Sequence, residues 1–150
     1  MPVTMTPDVN VLVSAFHADH PHHTVARAWL DAALAACQSG GRLQLLPMVC
    51  TSFVRIVTHA KVFAQPAGPL QATGFIDALL RVPGCEWLGL GPEWPAFAQL
   101  CNAGGLKGNA VQDAWIAMAA RRHGSHLVTF DKGLAALLDR HEYTLLAPRA

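Results

Sequence analysis

The sequence predicts an α/β fold in which a central, mostly parallel sheet of five strands lies between two layers of helices. Short apolar stretches typical of strands alternate with longer segments whose apolar residues recur at helical spacing. Such alternation favours parallel neighbours, because each strand is reached through a helix that crosses the sheet. With 150 residues, the chain is expected to form a single domain, 1–150, that buries a sizeable core.

The predicted elements follow from apolar spacing and from turn residues. Pro7 ends the first strand, since proline has no amide proton to continue a ladder, and Ser39 to Gly41 end the second helix. Strands are predicted over 3–6, 43–46, 86–90, 126–130 and 143–146. Helices are predicted over 9–16, from Pro21 to Ser39, and over 48–58, 70–81, 93–102, 109–122 and 132–138.

Composition limits the class of protein. Hydrophobic residues make up 52% of the chain and the formal net charge is +1, with a mean hydropathy of +0.27. High apolar content predicts a buried association surface, and a homodimer is expected. Because no global basic field exists, a nucleic-acid partner would have to be bound by local cations and metal ions.

The cysteines and the termini point to a reduced compartment. The four cysteines show no metal-ligand spacing and are interpreted as small core residues of a cytoplasmic protein. No signal peptide is recognisable, and no apolar stretch approaches the ~20 residues of a membrane span. No membrane association is therefore expected.

Three aspartates lie at or near predicted strand ends. Asp8 follows the first strand, Asp131 follows the apolar run 127–130, and Asp113 lies near the start of the helix 109–122. In an open parallel sheet, ligands gather at the carboxyl ends of the strands. Carboxylates clustered there, with no cysteine or histidine motif, favour a hard cation such as Mg²⁺.

Each aspartate also has a purely structural interpretation. Asp8 and Asp131 are suitable helix N-caps, and Asp113 is placed to interact favourably with a helix dipole. For any one of them the two interpretations weigh about equally. For the three together, in the motifs described next, a shared site is favoured.

Four segments resemble the motifs of PIN-domain ribonucleases. Residues 8–16 are similar to the opening motif, 53–63 to the central motif of one bacterial subgroup, 108–119 to the third motif and 124–132 to the fourth. The subgroup is the VapC toxins of toxin–antitoxin pairs. The four segments occur in the family's order over essentially the whole chain.

The resemblance implies a metal-dependent endoribonuclease of PIN-like three-layer architecture. Asp8, Asp113 and Asp131 would hold Mg²⁺ or Mn²⁺, which lowers the pKa of a bound water for attack on a phosphodiester of the RNA substrate. It also implies a growth-inhibiting toxin that is silenced by a cognate antitoxin. The antitoxin would cover the acidic site and an adjoining apolar groove.

The chain departs from the wider family at two positions. Many PIN domains carry a glutamate near the position of Ser52 and a further acid at the position of Gly133. Three carboxylates therefore remain, and weaker metal binding is expected. Neutral supplements that would bind the metal or its waters are Asn10, Ser52 and Thr129. Arg55 is interpreted either as a structural ion-pair partner or as a phosphate contact.

Two rival functions stay open at this point. The missing acids allow a non-catalytic, RNA-binding or scaffold PIN domain, which metal-dependent cleavage of RNA would exclude. A haloacid-dehalogenase-like phosphatase also has an early aspartate, but it needs a second aspartate where this chain has Asn10.

Further histidines and tryptophans are given structural interpretations. A cluster of four histidines resembles a transition-metal tract, but Pro21 interrupts helical spacing, so a solvated helix entry is favoured; the cluster is His17, His20, His22 and His23. All four tryptophans are predicted to be core residues, although Trp87 and Trp94 also suit an interface. The basic residues 121–123 are explained by the helix dipole, and the sequence leaves the role of His59 and Lys61 undecided.

Overall fold

Five strands form one parallel sheet in the order β3-β2-β1-β4-β5. The computed structural model describes residues 3–147. The strands are β1 (Thr4–Pro7), β2 (Arg42–Leu45), β3 (Cys85–Trp87), β4 (His126–Thr129) and β5 (Tyr143–Leu145). All four pairs of neighbouring strands are parallel. The α/β prediction is confirmed, with a sheet that is parallel throughout its described strands.

Helices connect every strand to the next. They are α1 (Val9–Phe16), α2 (His23–Cys37), α3 (Pro47–Val57), α4 (Pro69–Leu80), α5 (Trp94–Gly104), α6 (Asn109–Arg122) and α7 (Lys132–Ala135), followed by a 3₁₀ turn, Arg140–Glu142. Helix α1 contacts α2 and α3, and α3 contacts α4, whereas α6 contacts α5 and α7. Right-handed crossovers place these two groups on opposite faces of the sheet, which gives the predicted three layers.

The strand order reverses direction at the centre of the sheet. The chain moves outward from β1 to β2 and β3, then returns to add β4 on the other side of β1. A crevice forms at such a switch point, outside the carboxyl ends of the two central strands. Asp8 follows β1, and Asp131 lies two residues beyond the end of β4. Helix α6 runs back toward the start of β4, so its N-terminus and Asp113 lie at the same edge.

The core lies on both faces of the central strands. Leu43, Leu45 and Leu127 are fully buried, as are Leu12 of α1 and Phe53 of α3. Strands covered on both faces are buried along their length rather than alternating, and β4 fits this pattern, whereas β2 alternates between buried leucines and more exposed polar residues. The hydrophobic packing of these strands fixes the switch point, and with it the position of the aspartates.

The cysteines behave as the small core residues expected from the sequence. Cys37, Cys50 and Cys85 are buried, Cys101 is half-buried, and all four are free thiols. Burial raises the pKa of Cys50 to about 12 and that of Cys85 to about 11. These thiols therefore stay protonated and unreactive. Within residues 3–147, no helix is long and apolar enough to cross a membrane.

Two predicted elements end three residues before the predicted position. Strand β3 ends at Trp87 rather than at residue 90, and the chain then turns at Gly91, whose φ is 119°. Helix α7 ends at Ala135 rather than at residue 138. The backbone continues there as turns whose hydrogen bonds join residues three apart, such as the bond from Leu137 N–H to the carbonyl of Leu134 at 3.1 Å.

The core assignment was wrong for two of the tryptophans. Trp87 is 48% exposed and Trp94 is 64% exposed, so neither is a core residue. Trp29 and Trp115 pack half-buried against the core. Trp115 donates its indole N–H to the buried carboxylate of Glu93 at 3.1 Å, which ties the start of α5 to α6.

Arg121 has a specific partner that the helix-dipole explanation missed. Its guanidinium donates to both carboxylate oxygens of Glu142, at 2.9 and 2.8 Å. Glu142 also accepts the backbone N–H of Asp139 at 2.9 Å. The hydrogen bonds from Arg121 lower the pKa of Glu142 to about 2. This pair joins the end of α6 to the segment that leads into β5.

We predict that Glu142→Gln destabilises the fold at pH 7 by about 1 kcal/mol, after allowance for solvent screening of the half-exposed arginine. A carboxylate whose pKa is lowered on folding contributes stability above its unfolded value of 4.5 and loses it as pH falls toward 2. The difference in unfolding free energy between wild type and variant should therefore shrink across that window in urea titrations. Asp77→Asn, at an exposed carboxylate of α4, is the control; equal effects of the two substitutions would contradict the prediction.

Candidate active site

Asp8 is a buried carboxylate held at the junction of β1 and α1. It caps α1, and its Oδ1 accepts the backbone N–H of Val9 at 2.6 Å. Its own N–H donates to the carbonyl of Val128 at 2.9 Å, continuing the β1–β4 ladder beyond Pro7. Only 5% of the residue is exposed. The capping interpretation is therefore correct, and it also fixes the side chain at the switch point.

Thr129 connects Asp8 to Asp131. The Thr129 hydroxyl is buried; it donates to Oδ2 of Asp8 at 2.8 Å and accepts the backbone N–H of Asp131 at 2.9 Å. One hydroxyl thus fixes the separation between the ends of β1 and β4. The predicted role of Thr129 as a ligand of the metal or its waters stays a prediction, and the structure shows its hydroxyl positioning the carboxylate of Asp8.

Asp131 caps α7 through one carboxylate oxygen. Its Oδ1 accepts the N–H groups of Gly133 at 2.8 Å and Leu134 at 3.3 Å. A Cβ at position 133 would lie 3.2 Å from that oxygen, a tight contact for any side chain larger than glycine. The second oxygen, Oδ2, makes no hydrogen bond to residues 3–147 and stays available to a ligand.

Asp113 lies in the second turn of α6 and is half-buried. Its carboxylate makes no hydrogen bond within the described part of the chain. Desolvation raises its pKa, and the negative charges of Asp131 and Asp8 raise it further. Asp131 and Asp8 are the other two predicted site residues. The three aspartates therefore lie in one acidic region.

The same electrostatics act on Asp8. Burial raises its pKa and the charge of Asp131 adds to this, although the hydrogen bonds from Thr129 and Val9 oppose the shift. No lysine or arginine forms an ion pair with any of the three carboxylates in residues 3–147. Uncompensated repulsion among carboxylates is relieved by a cation, so their chemistry fits a hard divalent ion.

The side chains do not form a complete metal cage. Among the described residues, no three acidic, histidine or cysteine side chains have the geometry to hold an ion. Mg²⁺ is commonly bound by one or two carboxylates, with water and substrate phosphate completing the shell. Oδ2 of Asp131 and the carboxylate of Asp113 are the open donors suited to such a site.

The predicted supporting residues differ in their positions. Asn10 is exposed in the first turn of α1 and shares a pocket with Asp131. Ser52 is half-buried in α3, and no hydrogen bond links it to the three aspartates. Arg55 is exposed and makes no ion pair within residues 3–147, so its structural salt bridge is not observed. The metal-binding role of Ser52 and the phosphate-binding role of Arg55 remain predictions.

A wall of rings beside the acidic site was not predicted from the sequence. His20, His22 and Phe130 line the pocket that contains Asn10 and Asp131. The histidines lie half-buried where the chain enters α2, as a helix entry implies, but the stacking of His22 on Phe130 was not expected. The sequence did contain a signal for this wall, because Phe130 directly precedes Asp131 and the histidines follow the helix that Asp8 caps.

The fold and the site together define a class of protein. A parallel sheet with mutually repelling carboxylates at its switch point is an α/β scaffold suited to a divalent cation and an anionic substrate. A sequence model described as the PIN domain matches residues 5–138. The chain belongs to the PIN domain family, and ribonucleases of this family generally depend on divalent metal ions.

The relatives are named ribonucleases. The chain is 35% identical over 129 residues to ribonuclease VapC43 of Mycobacterium tuberculosis, an alignment that spans 85% of this chain and 86% of the relative. It is 30% identical over 129 residues to ribonuclease VapC31 of the same organism, covering 85% and 89% of the two chains. Both alignments extend over most of the catalytic fold.

The fold is shared with a solved toxin structure. VapC20 of Mycobacterium tuberculosis, described as a sarcin-ricin loop cleaving toxin, superposes with a TM-score of 0.60 at 15% identity. The match covers 89% of this chain and 94% of that one. At this identity the likeness concerns the fold.

We predict that Thr129→Val raises the pKa of Asp8 further, because the hydroxyl that stabilises its charged form is lost. The substitution also leaves the amide of Asp131 without an acceptor, at a cost of about 1–3 kcal/mol in unfolding free energy. Carboxyl-carbon NMR titration reports the pKa, and denaturant unfolding reports the stability. Thr129→Ser keeps the hydroxyl and should behave nearly as wild type; an unchanged Asp8 titration in the valine variant would refute the linkage.

Proposed function

We propose that this chain is a VapC-type endoribonuclease that hydrolyses RNA with Mg²⁺ at Asp8, Asp113 and Asp131. The observation that carries the proposal is the placement of these carboxylates beside the switch point, where Thr129 joins Asp8 to Asp131 and no ion pair within residues 3–147 neutralises them. The relatives named as ribonucleases support the activity. The nuclease is a single PIN domain, 1–150, that acts in the cytoplasm.

The protein's own contribution is to position charge. Bound Mg²⁺ supplies an activated water and screens the phosphate, as divalent ions do in phosphodiester hydrolysis. Asp8 is immobilised by Val9 and Thr129, so its carboxylate holds one fixed point of the site. Asp113 and Asp131 retain carboxylate oxygens without hydrogen bonds to residues 3–147, and these oxygens would hold the cation. Mn²⁺, which shares the preference for oxygen ligands, is expected to replace Mg²⁺.

Family membership and the site residues bear on the two rival functions, a phosphatase and a non-catalytic PIN domain. Membership of the PIN family removes the reason to consider a haloacid-dehalogenase-like phosphatase. A non-catalytic PIN domain stays an alternative, because Ser52 and Gly133 replace acids that are common in the wider family. The free carboxylate oxygens of Asp113 and Asp131 favour catalysis, since a purely structural carboxylate would be satisfied by neighbouring donors.

We expect purified protein to cleave single-stranded or loop RNA with Mg²⁺ or Mn²⁺ and to lose this activity in EDTA. Asp8→Asn, Asp113→Asn and Asp131→Asn should each lower the cleavage rate by about 10²–10³-fold, the scale of losing one charge-stabilising group. Gel analysis of labelled RNA measures both effects. The matched control is Asp77→Asn, which removes an exposed carboxylate from α4.

The Asp113 substitution should raise the stability of the fold while it lowers the cleavage rate. The pKa of Asp113 is raised in the folded state, so its charge opposes folding once pH exceeds the raised value. Asp113→Asn should therefore raise the melting temperature at pH 7 while abolishing cleavage. An inactive variant with a lower melting temperature would indicate a structural role instead. Cleavage that persists in EDTA or in Asp8→Asn would exclude the proposed mechanism.

A cognate antitoxin is the proposed protein partner. An apolar groove of about 340 Å³ lies between α3 and α4, lined by Cys50, Thr51, Val54, Thr73, Ile76, Asp77 and Trp87. Exposed Trp87 at its edge supports association through this face. An amphipathic segment is the suitable occupant. An arginine or lysine of the same antitoxin would neutralise the acidic site where the metal otherwise binds.

We predict that the isolated chain is a homodimer and that it co-purifies with the product of an adjacent small gene. Light scattering gives the oligomeric state, and co-expression followed by size exclusion tests the complex. Trp87→Arg should weaken antitoxin capture, because it places charge in an apolar contact; Arg81→Ala, at an exposed residue beyond the groove, is the control. A monomer that captures no neighbour would refute the toxin assignment and leave the nuclease chemistry intact.

A further inference from the structure

A pocket of about 340 Å³ extends from Asp131 along the α1–α2 connection. Its walls are Asn10, His20, His22, Phe130 and Asp131. Only Asp131 belongs to the proposed set of metal-binding carboxylates. The pocket therefore begins where the scissile phosphate would lie and continues away from it.

Three of the five residues that line the pocket carry flat rings. The His22 imidazole stacks on the Phe130 ring with centroids 4.8 Å apart and planes inclined by 21°. The His20 ring lies 5.3 Å from that of His22. His22 and Phe130 each use one face in their mutual stack, so their outer faces are the planar surface left for another ring system, and every nucleobase has such a face.

Backbone and side-chain hydrogen bonds hold these rings in place. His20 Nδ1 accepts the backbone N–H of His22 at 3.0 Å, so the neutral ring carries its proton on Nε2 as a free donor. The next residue, His23, donates from Nδ1 to the carbonyl of Ser14 at 2.8 Å, which fixes the connection to α1. The pocket is thus formed before any ligand arrives, which lowers the entropic cost of binding.

Two polar groups of the wall are open to a ligand. Asn10 offers an exposed amide, with both donor and acceptor groups, and His20 offers Nε2, which makes no hydrogen bond within residues 3–147. The Nδ1 of His22 is buried without a hydrogen bond among the residues described, so it adds no accessible contact. The pocket therefore combines flat rings with polar groups that complement the face and the edge of a heterocyclic base.

On the basis of the proposed nuclease function, we infer that this pocket receives one unpaired nucleobase of the RNA, next to the phosphate that is cleaved. His22 and Phe130 provide the stacking surface, and Asn10 and His20 contact the polar edge of the base. The carboxylate of Asp131 at the mouth disfavours a second phosphate but not a neutral ring. A base within a duplex cannot enter, so the pocket selects loops and single strands.

Binding to a non-cleaving protein tests the pocket separately from catalysis. Abasic nucleotides are placed one at a time along a short fluorescein-labelled single-stranded RNA, and the Kd for the Asp113→Asn protein is measured by fluorescence anisotropy. One position should weaken binding about tenfold when its base is removed, as expected for the loss of one stacked base. In the Asp113→Asn, His22→Ala protein, removal of that base should cost clearly less than tenfold, because part of the stacking surface is gone while Phe130, Asn10 and His20 remain.

Two further variants separate stacking from damage to the fold. His22→Phe keeps the ring and should retain sensitivity to the missing base, which excludes unfolding as the cause. His59→Ala removes an exposed histidine outside the pocket and should leave the tenfold penalty unchanged. The inference is overturned if the penalty persists in His22→Ala, or if no position along the RNA is sensitive. Failure of the proposed function differs from both, since wild-type protein would then not cut RNA with Mg²⁺.

Discussion

A single buried hydroxyl determines the geometry of the site. Thr129 donates to Asp8 and accepts from the backbone of Asp131, so the ends of β1 and β4 are held together where the strand order reverses. Burying a carboxylate without a cationic partner is costly, and two hydrogen bonds reduce that cost without cancelling it. The pKa of Asp8 stays raised despite them. The fold therefore tolerates a charge that its own interior disfavours, as expected where a cation later arrives.

The acidic region illustrates why such a site opposes stability. Asp8 and Asp131 both raise the pKa of Asp113, and no ion pair within residues 3–147 relieves them. In the core, by contrast, the polar group of Glu93 is satisfied by Gly91 and Trp115. One buried acid is thus satisfied by hydrogen bonds and serves the fold, while the three aspartates have no such compensation, as expected of residues proposed to bind a cation. Natural proteins retain such costs at functional sites because activity requires them.

Sequence patterns predicted the architecture well because apolar spacing and strand–helix alternation report directly on burial. The same patterns placed Asp8 and Asp131 at one edge of the sheet, since the ends of parallel strands share an edge, and Asp113 near the helix N-terminus at that edge; their metal-binding role stays a prediction. Sequence patterns failed where contacts between distant parts of the chain determine whether a side chain is buried. The burial of His22 depends on Phe130, more than 100 residues away, and the exposure of Trp87 depends on the early end of β3. Arg121 was likewise assigned to the helix dipole, because its partner Glu142 lies on a later element.

The low net charge limits the long-range attraction between this chain and a nucleic acid. A net charge of +1 and an acidic site give little long-range attraction to a polyanion, so few phosphates can be neutralised by side chains. Any contribution of the exposed cations Arg55 and Lys61 would be local. Under the proposed function, affinity then comes from the metal at the scissile phosphate and from uncharged contacts to bases. Such contacts require bases that are not stacked within a duplex. The proposed selectivity for unpaired RNA is therefore consistent with the electrostatics of the chain as well as with the shape of its pocket.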